Sequence, residues 1–225
     1  MLKRLWKEWG YPVLVAIAIV TPIKSSLADW NHVPTGSMKP TILEGDRVFV
    51  NKLAYDLKVP LTTWHIAKWG DPERGDIVVC YSPVDGKRLI KRVVAIPSDT
   101  IAMENSQLIV NGKSAEYTTL DESVIDNIPQ VEQQSHVFAE EHVDGDSHAV
   151  MLTPTRRSPH SFGKTRVPEG QYVVMGDNRD NSFDSRFFGF VDRKQILGRS
   201  PAIVASFNRD NFYLPRRNRW LKKLQ

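Results

Sequence analysis

Residues 34–40 read Pro-Thr-Gly-Ser-Met-Lys-Pro and place one serine, Ser37, on a tight turn between two prolines. A serine hydroxyl becomes an effective nucleophile only when a neighbouring group takes its proton. Taken alone, a Gly-Ser turn of this kind is more typical of a connector between two elements. Whether Ser37 does chemistry therefore depends on a base supplied elsewhere in the chain.

A candidate base lies in residues 88–96, Arg-Leu-Ile-Lys-Arg-Val-Val-Ala-Ile. If this segment is a strand, its side chains alternate between two faces, and each face is apolar around one cation, Lys91 or Arg92. Arginine stays protonated in proteins, whereas apolar surroundings lower the pKa of a lysine. Lys91 is therefore the residue of the pair that could act as a neutral general base. The alternative, a lysine that reaches solvent or pairs with a carboxylate, stays open at this point.

Residues 176–189 form a third chemical stretch, Gly-Asp-Asn-Arg-Asp-Asn-Ser-Phe-Asp-Ser-Arg-Phe-Phe-Gly. Consecutive short polar side chains compete for backbone groups and favour a structured loop. A calcium loop is the rival interpretation because Asp180, Ser182 and Asp184 alternate, but the glycine and the bidentate glutamate of such a loop are missing. We therefore predict no metal site. The loop is expected to be a hydrogen-bonded platform in which Asp184 pairs with Arg186 and one serine orients another group.

The elements that must position these residues are predicted to be mainly β. Short segments rich in Val and Ile are bounded by Gly, Pro, Asn or Asp, and Asn111-Gly112 marks a hairpin turn. Neither a long helical period nor an alternation of strands with helices follows residue 46, so an antiparallel β assembly is expected. The predicted strands span residues 46–50, 76–81, 88–96, 100–103, 107–110, 172–175 and 202–206.

The amino-terminal residues indicate a membrane segment. Basic residues precede an apolar run over 11–23 with tryptophans at its margins, which predicts a cytoplasmic amino terminus over 1–8, a single transmembrane helix over 9–28 and the rest of the chain outside. A cleavable signal peptide is the alternative, because Ser26 and Ala28 have the spacing of an export cleavage site. Both interpretations place the remaining residues on the same side of the membrane.

Composition limits the other possibilities. The net charge of +4 is modest and its basic residues are scattered, so a nucleic-acid surface is not indicated. The single cysteine, Cys80, excludes an intramolecular disulfide and is predicted to be a buried apolar residue.

Two segments lie outside the predicted β scaffold. Residues 114–161 are acidic and are interpreted as an inserted β subdomain or a long excursion, whose histidines His136, His142 and His148 are expected in a solvated loop. Residues 208–225 form a basic tail, expected either to rest on anionic lipid headgroups or to be a frayed, solvated end. In residues 34–40, Lys39 is expected to be solvated.

Four segments, taken in order, resemble the signature boxes of bacterial type I signal peptidases, the family S26 Ser/Lys proteases that remove signal peptides from exported proteins. They are residues 34–41 with Glu-Gly-Asp at 44–46, Arg-Gly-Asp-Ile-Val-Val at 74–79, Ile-Lys-Arg-Val-Val at 90–94, and the polar loop from 176. The resemblance runs to about Gly198 and leaves the acidic middle and the tail uncovered. One departure is that Ala95 and Ser98 stand where the family usually has glycines, which permit positive φ.

The resemblance implies a role for each matching residue. Ser37 would be the nucleophile and Lys91 the general base, with the Ser182 hydroxyl orienting the lysine. The Ser37 amide and the Thr35 hydroxyl would form the oxyanion hole. The substrate pockets would be lined by Val33, Met38, Ile42 and Ile90, and the structural supports would be Arg92, Asp184 and Arg186.

The resemblance also implies a fold, a reaction and a place. The fold is an antiparallel β catalytic domain of the signal-peptidase type over 29–113 and 162–207, with the inserted subdomain and the membrane helix attached. The activity is that of a membrane-bound serine endopeptidase that cleaves preproteins through an acyl-enzyme without metal or cofactor, as a single-pass protein of the bacterial inner (plasma) membrane. Its partners are signal-peptide-bearing preproteins, the lipid bilayer and, as a further candidate, the protein-export channel, but no nucleic acid.

Two alternatives stay open from the sequence. One is a specialised Ser/Lys peptidase: the complete polar loop disfavours the pilus-maturation type, and the membrane segment disfavours the self-cleaving repressors. The other is a non-enzymatic exported β protein that binds a partner, in which Lys91 would be an ordinary solvated lysine.

Overall fold

The computed structural model describes residues 6–22, 26–59, 62, 64–156, 158–209 and 211–224, and within these ranges the molecule is built mainly from antiparallel strands. Helices are few and short. They are α1 (Tyr11–Pro22), α2 (Gln130–Ser135) and α3 (Ser185–Phe188), with single 3₁₀ turns such as Arg179–Asn181 and Arg217–Arg219. The strands are β1 (Ala28–His32), β2 (Asp46–Asn51), β3 (Asp56–Lys58), β4 (His65–Lys68), β5 (Ile77–Tyr81), β6 (Arg88–Ala95), β7 (Thr100–Glu104), β8 (Gln107–Val110), β9 (Lys113–Ser114), β10 (Glu116–Thr119), β11 (Val137–Val143), β12 (Asp146–Leu152), β13 (Phe162–Arg166), β14 (Gln171–Met175), β15 (Val191–Asp192), β16 (Ile196–Asn208) and β17 (Leu214–Pro215).

The largest sheet has eight strands in the order β1-β2-β16-β5-β6-β14-β15, with β17 paired to β16, and we call it the main sheet. All of its strand pairs are antiparallel. β6 lies between β5 and β14, with Lys91 opposite Val78 and Arg92 opposite Met175. The strand that carries the candidate base is therefore interior to the sheet, where its central residues are covered.

Three smaller sheets surround the main sheet. β13-β7-β8-β9 form a four-stranded sheet, β10-β11-β12 form a three-stranded sheet that we call the inserted sheet, and β3-β4 form a hairpin. The predicted Asn111-Gly112 turn joins β8 to β9, with φ of 52° and 80° at the two residues, as a tight hairpin requires. The inserted sheet falls within 114–161, while the division of the chain into domains stays a prediction.

Apolar side chains from these sheets form several buried clusters. One cluster packs β6 and β14 against the four-stranded sheet, and it includes Val94, Met175 and Ile101. A second cluster lies beneath residues 33–42, where Val33, Met38 and Ile42 pack with residues of the main sheet. Cys80 is fully buried, which confirms the prediction that it is a small core residue.

The predicted strands are all present, with small changes at their ends. The largest difference is β16, which was predicted over 202–206 and spans Ile196–Asn208. Its pairing with β2 and with β5 is interrupted by register shifts, and a strand with such irregularities lacks the regular alternation on which prediction depends.

The amino-terminal segment begins with a π-helical turn, Trp6–Gly10, that continues into α1. Of the transmembrane helix predicted over 9–28, the described part ends at Pro22, residues 23–25 lie outside the described residues, and Ala28 already begins β1. None of the described helices has both the length and the apolar character needed to cross a membrane.

Two predictions about solvated segments are wrong. His142 and His148 lie in strands β11 and β12 rather than in a solvated loop, and His148 is buried. The carboxyl-terminal segment is not a frayed end, because Arg219 and Leu224 are buried against the rest of the molecule. Both errors have the same cause, namely that a polar composition cannot reveal a partner far away in the chain.

Candidate active site

Ser37 and Lys91 come together in the structure. The side-chain nitrogen Nζ of Lys91 lies 2.7 Å from Ser37 Oγ, at hydrogen-bond distance, and 3.0 Å from the carbonyl oxygen of Ile90. The two residues are 54 positions apart in sequence, so the contact is made by the fold and not by local structure. A hydroxyl this close to an amine can pass its proton directly to it.

The surroundings of Lys91 favour its neutral form. Its side chain is only 3% exposed and lies among residues of the main sheet, near Cys80. Burial lowers the pKa of Lys91, and the nearby carboxylate of Asp184 only partly offsets that effect. The alternative that Lys91 reaches solvent does not hold, and among the described residues Lys91 forms no ion pair within salt-bridge distance. A neutral lysine can accept the proton that an arginine could not.

The turn that carries Ser37 is fastened to the polar loop of residues 176–189. The Asn178 amide donates to the Ser37 carbonyl at 3.1 Å, and the Asn178 side chain donates to the Gly36 carbonyl at 3.1 Å. The Ser37 amide takes no part in the backbone hydrogen bonds of this turn. The Gly36 and Ser37 carbonyl groups are therefore bound to the polar loop, while the Ser37 amide stays available to another acceptor.

Two buried ion pairs give the polar loop its shape. Arg92 binds both carboxylate oxygens of Asp177, at 2.9 and 2.8 Å, and Arg186 binds Asp184 at 2.9 and 2.8 Å. Burial alone would raise the pKa of Asp177, but the charge and hydrogen bonds of Arg92 outweigh it and hold that pKa below its ordinary value. The predicted Asp184–Arg186 pair is thus present. Arg92 supports the loop through Asp177, a partner that the sequence did not single out.

The loop approaches the Ser37 turn most closely at Gly176. A Cβ atom placed there would lie 2.3 Å from Ser182 Oγ and 2.4 Å from the Ser37 carbonyl oxygen. Only a residue without a side chain permits this approach. The Ser182 hydroxyl is buried at this point, close to the Asp184 carboxylate. Lys91 Nζ binds Ser37 Oγ and the Ile90 carbonyl instead, so the predicted bond between Ser182 and Lys91 is not formed in this structure.

A cleft of about 480 Å³ opens beside the Ser–Lys pair. Thr35, Ser37, Lys91 and Ser182 all line it, so the structure brings the four predicted catalytic, oxyanion and orienting residues to one place. The other wall carries Phe183 and Phe187, which are about half exposed, together with Leu89, Arg156, Ser158 and Asp180. The phenylalanines belong to the polar loop, but nothing in their spacing distinguished them as cleft residues.

The predicted substrate-pocket residues lie elsewhere. Val33, Met38 and Ile42 are at most 3% exposed and belong to the core cluster beneath the turn, and Ile90 packs against that cluster while partly buried. The structure does not place any of the four along the cleft wall. Their contact with substrate stays a prediction, and their observed role is to support the Ser37 turn from below.

Lys39 differs from its prediction as a solvated residue. Its Nζ is buried between two carboxylates, 3.1 Å from Glu44 and 2.9 Å from Glu132 of α2. Although burial lowers the pKa of Lys39, the two carboxylates outweigh it and raise that pKa above its ordinary value, so Lys39 is held charged. The pKa values of Lys39 and Lys91 are therefore shifted in opposite directions, because two carboxylates bind Lys39 and none binds Lys91 within salt-bridge distance among the described residues.

The inserted sheet also reaches the polar loop. Glu141 of β11 binds Arg179 through both carboxylate oxygens, with His148 3.3 Å from each partner. All three side chains are buried. Among the described residues, no group of three or more His, Cys, Asp or Glu side chains is arranged to hold a metal ion.

Comparison with known proteins identifies the family. Residues 6–205 match the family model described as signal peptidase, peptidase S26. The chain is 32% identical to signal peptidase I of Pseudomonas fluorescens over 89% of this chain and 72% of that protein. It is 35% identical to signal peptidase I V of Bacillus subtilis strain 168 over 88% of this chain and 96% of that protein.

A solved structure of a signal peptidase I from Enterococcus faecalis is 31% identical and covers 57% of this chain and 96% of its own, with a TM-score of 0.35, too low to support an argument about the fold. The family match covers most of the sequence and includes every residue of the Ser–Lys site. The chain therefore belongs to the signal peptidase family, peptidase S26, and is a serine endopeptidase of the signal peptidase I type.

Proposed function

We propose that this chain cleaves signal peptides with Ser37 as the nucleophile and Lys91 as the general base. The observation that carries the proposal is the 2.7 Å contact between Ser37 Oγ and the buried Nζ of Lys91. A lysine serves as a base only when it is neutral, and burial without a paired carboxylate favours that state.

In the first step, neutral Lys91 accepts the Ser37 proton while Ser37 Oγ attacks the scissile carbonyl carbon. The resulting tetrahedral intermediate carries a negative charge on the former carbonyl oxygen. Preorganised donors at that oxygen typically contribute about 3 kcal/mol each. The Ser37 amide and the Thr35 hydroxyl are the proposed donors, because both belong to the cleft-lining turn and the amide is free of backbone partners there.

In the second step, protonated Lys91 gives its proton to the leaving amine, and the mature protein departs while the signal peptide stays esterified to Ser37. A water molecule then attacks the ester, with Lys91 again taking a proton. The new carboxylate is released and Ser37 is restored. Lys91 Nζ thus accepts the proton of Ser37 in the first half of the reaction and the proton of water in the second, as in other serine hydrolases that use a single base.

The proposed role of Ser182 is to position Lys91. Its hydroxyl lines the same cleft and is buried next to Gly176. A buried hydroxyl beside a carboxylate and a lysine can serve as a donor to the first and an acceptor from the second. We expect the Ser182 hydroxyl to accept a hydrogen bond from Lys91 when Lys91 is protonated, because the ammonium group has three N–H donors.

The proposed substrate is the extended segment of a preprotein before its cleavage site. Such a segment can add to a strand edge through main-chain hydrogen bonds, with small side chains facing the nucleophile. We further propose that the amino-terminal segment attaches the chain to the bacterial plasma membrane with the β domain outside, as its basic and apolar pattern indicates. The export channel is a further candidate partner, since emerging signal peptides are found there.

The test is to incubate the detergent-solubilised protein with a preprotein and to sequence the new amino terminus. Cleavage after the signal peptide is expected for the unaltered chain, and no product for Ser37→Ala. Lys91→Arg should lose at least about 100-fold in rate because arginine cannot accept the proton. Lys164→Arg, at an exposed position of β13, is the matched control and should cleave normally. Full activity in Lys91→Arg would exclude Lys91 as the base.

A further inference from the structure

The carboxyl-terminal residues 214–224 pack against the underside of the Ser37 turn. Arg216 donates to the Glu44 carbonyl oxygen and, at 2.7 Å, to that of Phe207. The Leu224 amide donates to Pro201 at 2.8 Å, and the Leu224 side chain enters the same core cluster as Met38 and Ile42. This segment lies outside the residues matched by the family model, which ends at 205.

Arg219 is the most deeply placed residue of this segment. Its side chain is 1% exposed and forms an ion pair with Asp46, whose carboxylate is fully buried, at 2.6 Å. The same Nη2 atom donates to the Thr41 carbonyl oxygen at 2.9 Å. One guanidinium group therefore joins the start of β2 to a residue four positions after Ser37.

Thr41 is held from its other side by the polar loop. Its hydroxyl donates to Asp177 Oδ2 at 2.5 Å, and Asp177 is held by Arg92, the neighbour of Lys91 on β6. The carbonyl of Thr41 thus depends on Arg219, while its side chain depends on the strand that carries the base. The Ile42 amide donates to the Met38 carbonyl at 2.9 Å and closes residues 38–42, which include Thr41 and directly follow Ser37, into one rigid turn.

We propose that Arg219 is a positioning residue for the Ser37 nucleophile. It fixes Thr41, and through the rigid turn it sets the distance between Ser37 Oγ and Lys91 Nζ. The proposal rests on the assignment of Ser37 and Lys91 as the catalytic pair. It gives Arg219, one of the basic residues of the carboxyl-terminal segment, a role inside the molecule.

An arginine suits this role better than a lysine. Its planar group presents several donors in fixed directions, so one side chain can serve the Asp46 carboxylate and the Thr41 carbonyl at once. A lysine would keep the charge next to Asp46 but not the fixed geometry. Charge and geometry can therefore be separated by substitution.

The experiment compares Arg219→Gln, Arg219→Lys and Arg217→Gln in the full-length, detergent-solubilised protein. Arg217 lies in the same 3₁₀ turn and is exposed, so its substitution removes the same charge from the surface. The measurements are kcat and KM on a peptide with alanine at the last and third-last positions before the cleavage site, and unfolding by denaturant. A small serine-directed acylating reagent reports on Ser37 reactivity without peptide binding.

Displacement of a reacting group by about 1 Å can lower a rate by about 100-fold. We therefore expect kcat and the acylation rate of Arg219→Lys to fall about 10- to 100-fold, with KM changed less than about threefold. Arg219→Gln should fall at least as far, and Arg217→Gln should match the unaltered protein.

Two results would overturn the positioning role. One is unaltered kcat in folded Arg219→Lys, which is the deciding variant if Arg219→Gln does not fold. The other is a loss confined to KM, which would indicate substrate binding instead. Failure of the unaltered protein to cleave the peptide would count against the proposed function, and the acylation rates would still decide whether Arg219 controls Ser37 reactivity.

Discussion

Lys91 and Arg92 are neighbours on one strand and have opposite surroundings. Arg92 lies against a buried carboxylate and stays charged as a structural partner of Asp177. Lys91 contacts a hydroxyl and a carbonyl oxygen. Alternation along β6 sends the two side chains to different sides of the sheet, so a single strand can provide both a structural support and the proposed base.

The activity of the chain should depend on pH through Lys91. Because burial lowers the pKa of Lys91, its neutral form becomes populated at a lower pH than for an ordinary lysine, whose pKa is about 10.4. Below the folded-state pKa, kcat/KM should fall about tenfold per pH unit, as expected for one essential base. A pH–rate profile on the peptide substrate measures this limb.

The same shift has a consequence for stability. The unfolded chain binds a proton at Lys91 more tightly than the folded chain, so Lys91 lowers stability at neutral pH, and the deficit disappears as the pH rises toward about 10.4. Lys91→Met should therefore be inactive yet at least as stable as the unaltered protein in denaturant unfolding at pH 7.

The pH–rate profile gives the contrary outcome for the first of these predictions. A rate that stays constant through the acidic range would contradict the assignment of Lys91 as the base.

At the scale of elements, the site is a contact between a turn and a loop carried by different strands. The turn precedes β2, the loop follows β14, and β6 lies between them with the base. Asn178 forms the contact through hydrogen bonds to the turn, and Gly176 permits it because it has no side chain. The loop sequence is demanding because Asp177, Arg179 and Asp180 each bind a different partner outside the loop.

Gly176→Ala should uncouple turn and loop. The added methyl group would meet the Ser37 carbonyl oxygen at 2.4 Å and the Ser182 side chain at 2.3 and 2.6 Å, and both groups are buried or anchored. We expect a loss in kcat of about 100-fold or more, since the nucleophile itself must move. Gly163→Ala in β13, where an added Cβ has no atom within 4 Å, is the control. Equal kcat values for both variants would show that the contact at Gly176 is dispensable.

At the scale of the whole molecule, the inserted sheet is joined to the active-site loop by a buried charge pair. Glu141 and Arg179 are 38 residues apart and form two hydrogen bonds through completely desolvated groups. Burial would raise the pKa of Glu141, but the charges and hydrogen bonds of Arg179 and His148 outweigh that effect. They hold the pKa of the Glu141 carboxyl well below its ordinary range, so the group is ionised at neutral pH. The acidic middle of the chain is thus connected to the catalytic loop.

Glu141→Gln should destabilise the molecule by about 3–5 kcal/mol, because it leaves the Arg179 charge buried without a counter-charge. Glu116→Gln, exposed on the neighbouring strand β10, is the matched control and should change the free energy of unfolding by less than about 0.5 kcal/mol. Denaturant unfolding at pH 7 measures both.

The pH dependence of stability shows whether the effect of Glu141→Gln comes from the lost Glu141–Arg179 ion pair. Since the folded-state pKa of Glu141 lies below its unfolded value of about 4.3, its contribution is present above that pH and is lost as the pH falls further. The stability difference between the unaltered protein and Glu141→Gln should therefore shrink on acidification. A difference that is constant with pH would point to lost packing and not to lost charge.

The sequence by itself determined much of the secondary structure and singled out the two residues that we propose to react. Alternating Val and Ile between turn residues predicted the strands, Asn111-Gly112 predicted its hairpin, and motif order led to Ser37 and Lys91. These signals are local or carried by short motifs, so they can be recognised without knowing the fold. At Ser98, where the resemblance predicted a glycine, the backbone has a positive φ of 71°, so the serine adopts the conformation that a glycine would favour.

Only the tertiary structure decided which polar residues are buried and what they bind. Lys39 contacts Glu132 across 93 residues, although it was expected in solvent. Arg219 contacts Asp46 across 173 residues, although its segment was expected on lipid headgroups or in solvent. A charged side chain is stable inside a protein only when a partner is brought to it, and that partner is defined by chain folding and not by the neighbouring sequence. The same reasoning applies to Lys91: its residue type made it a possible base, but its burial without a carboxylate partner was decided by the packing of the main sheet.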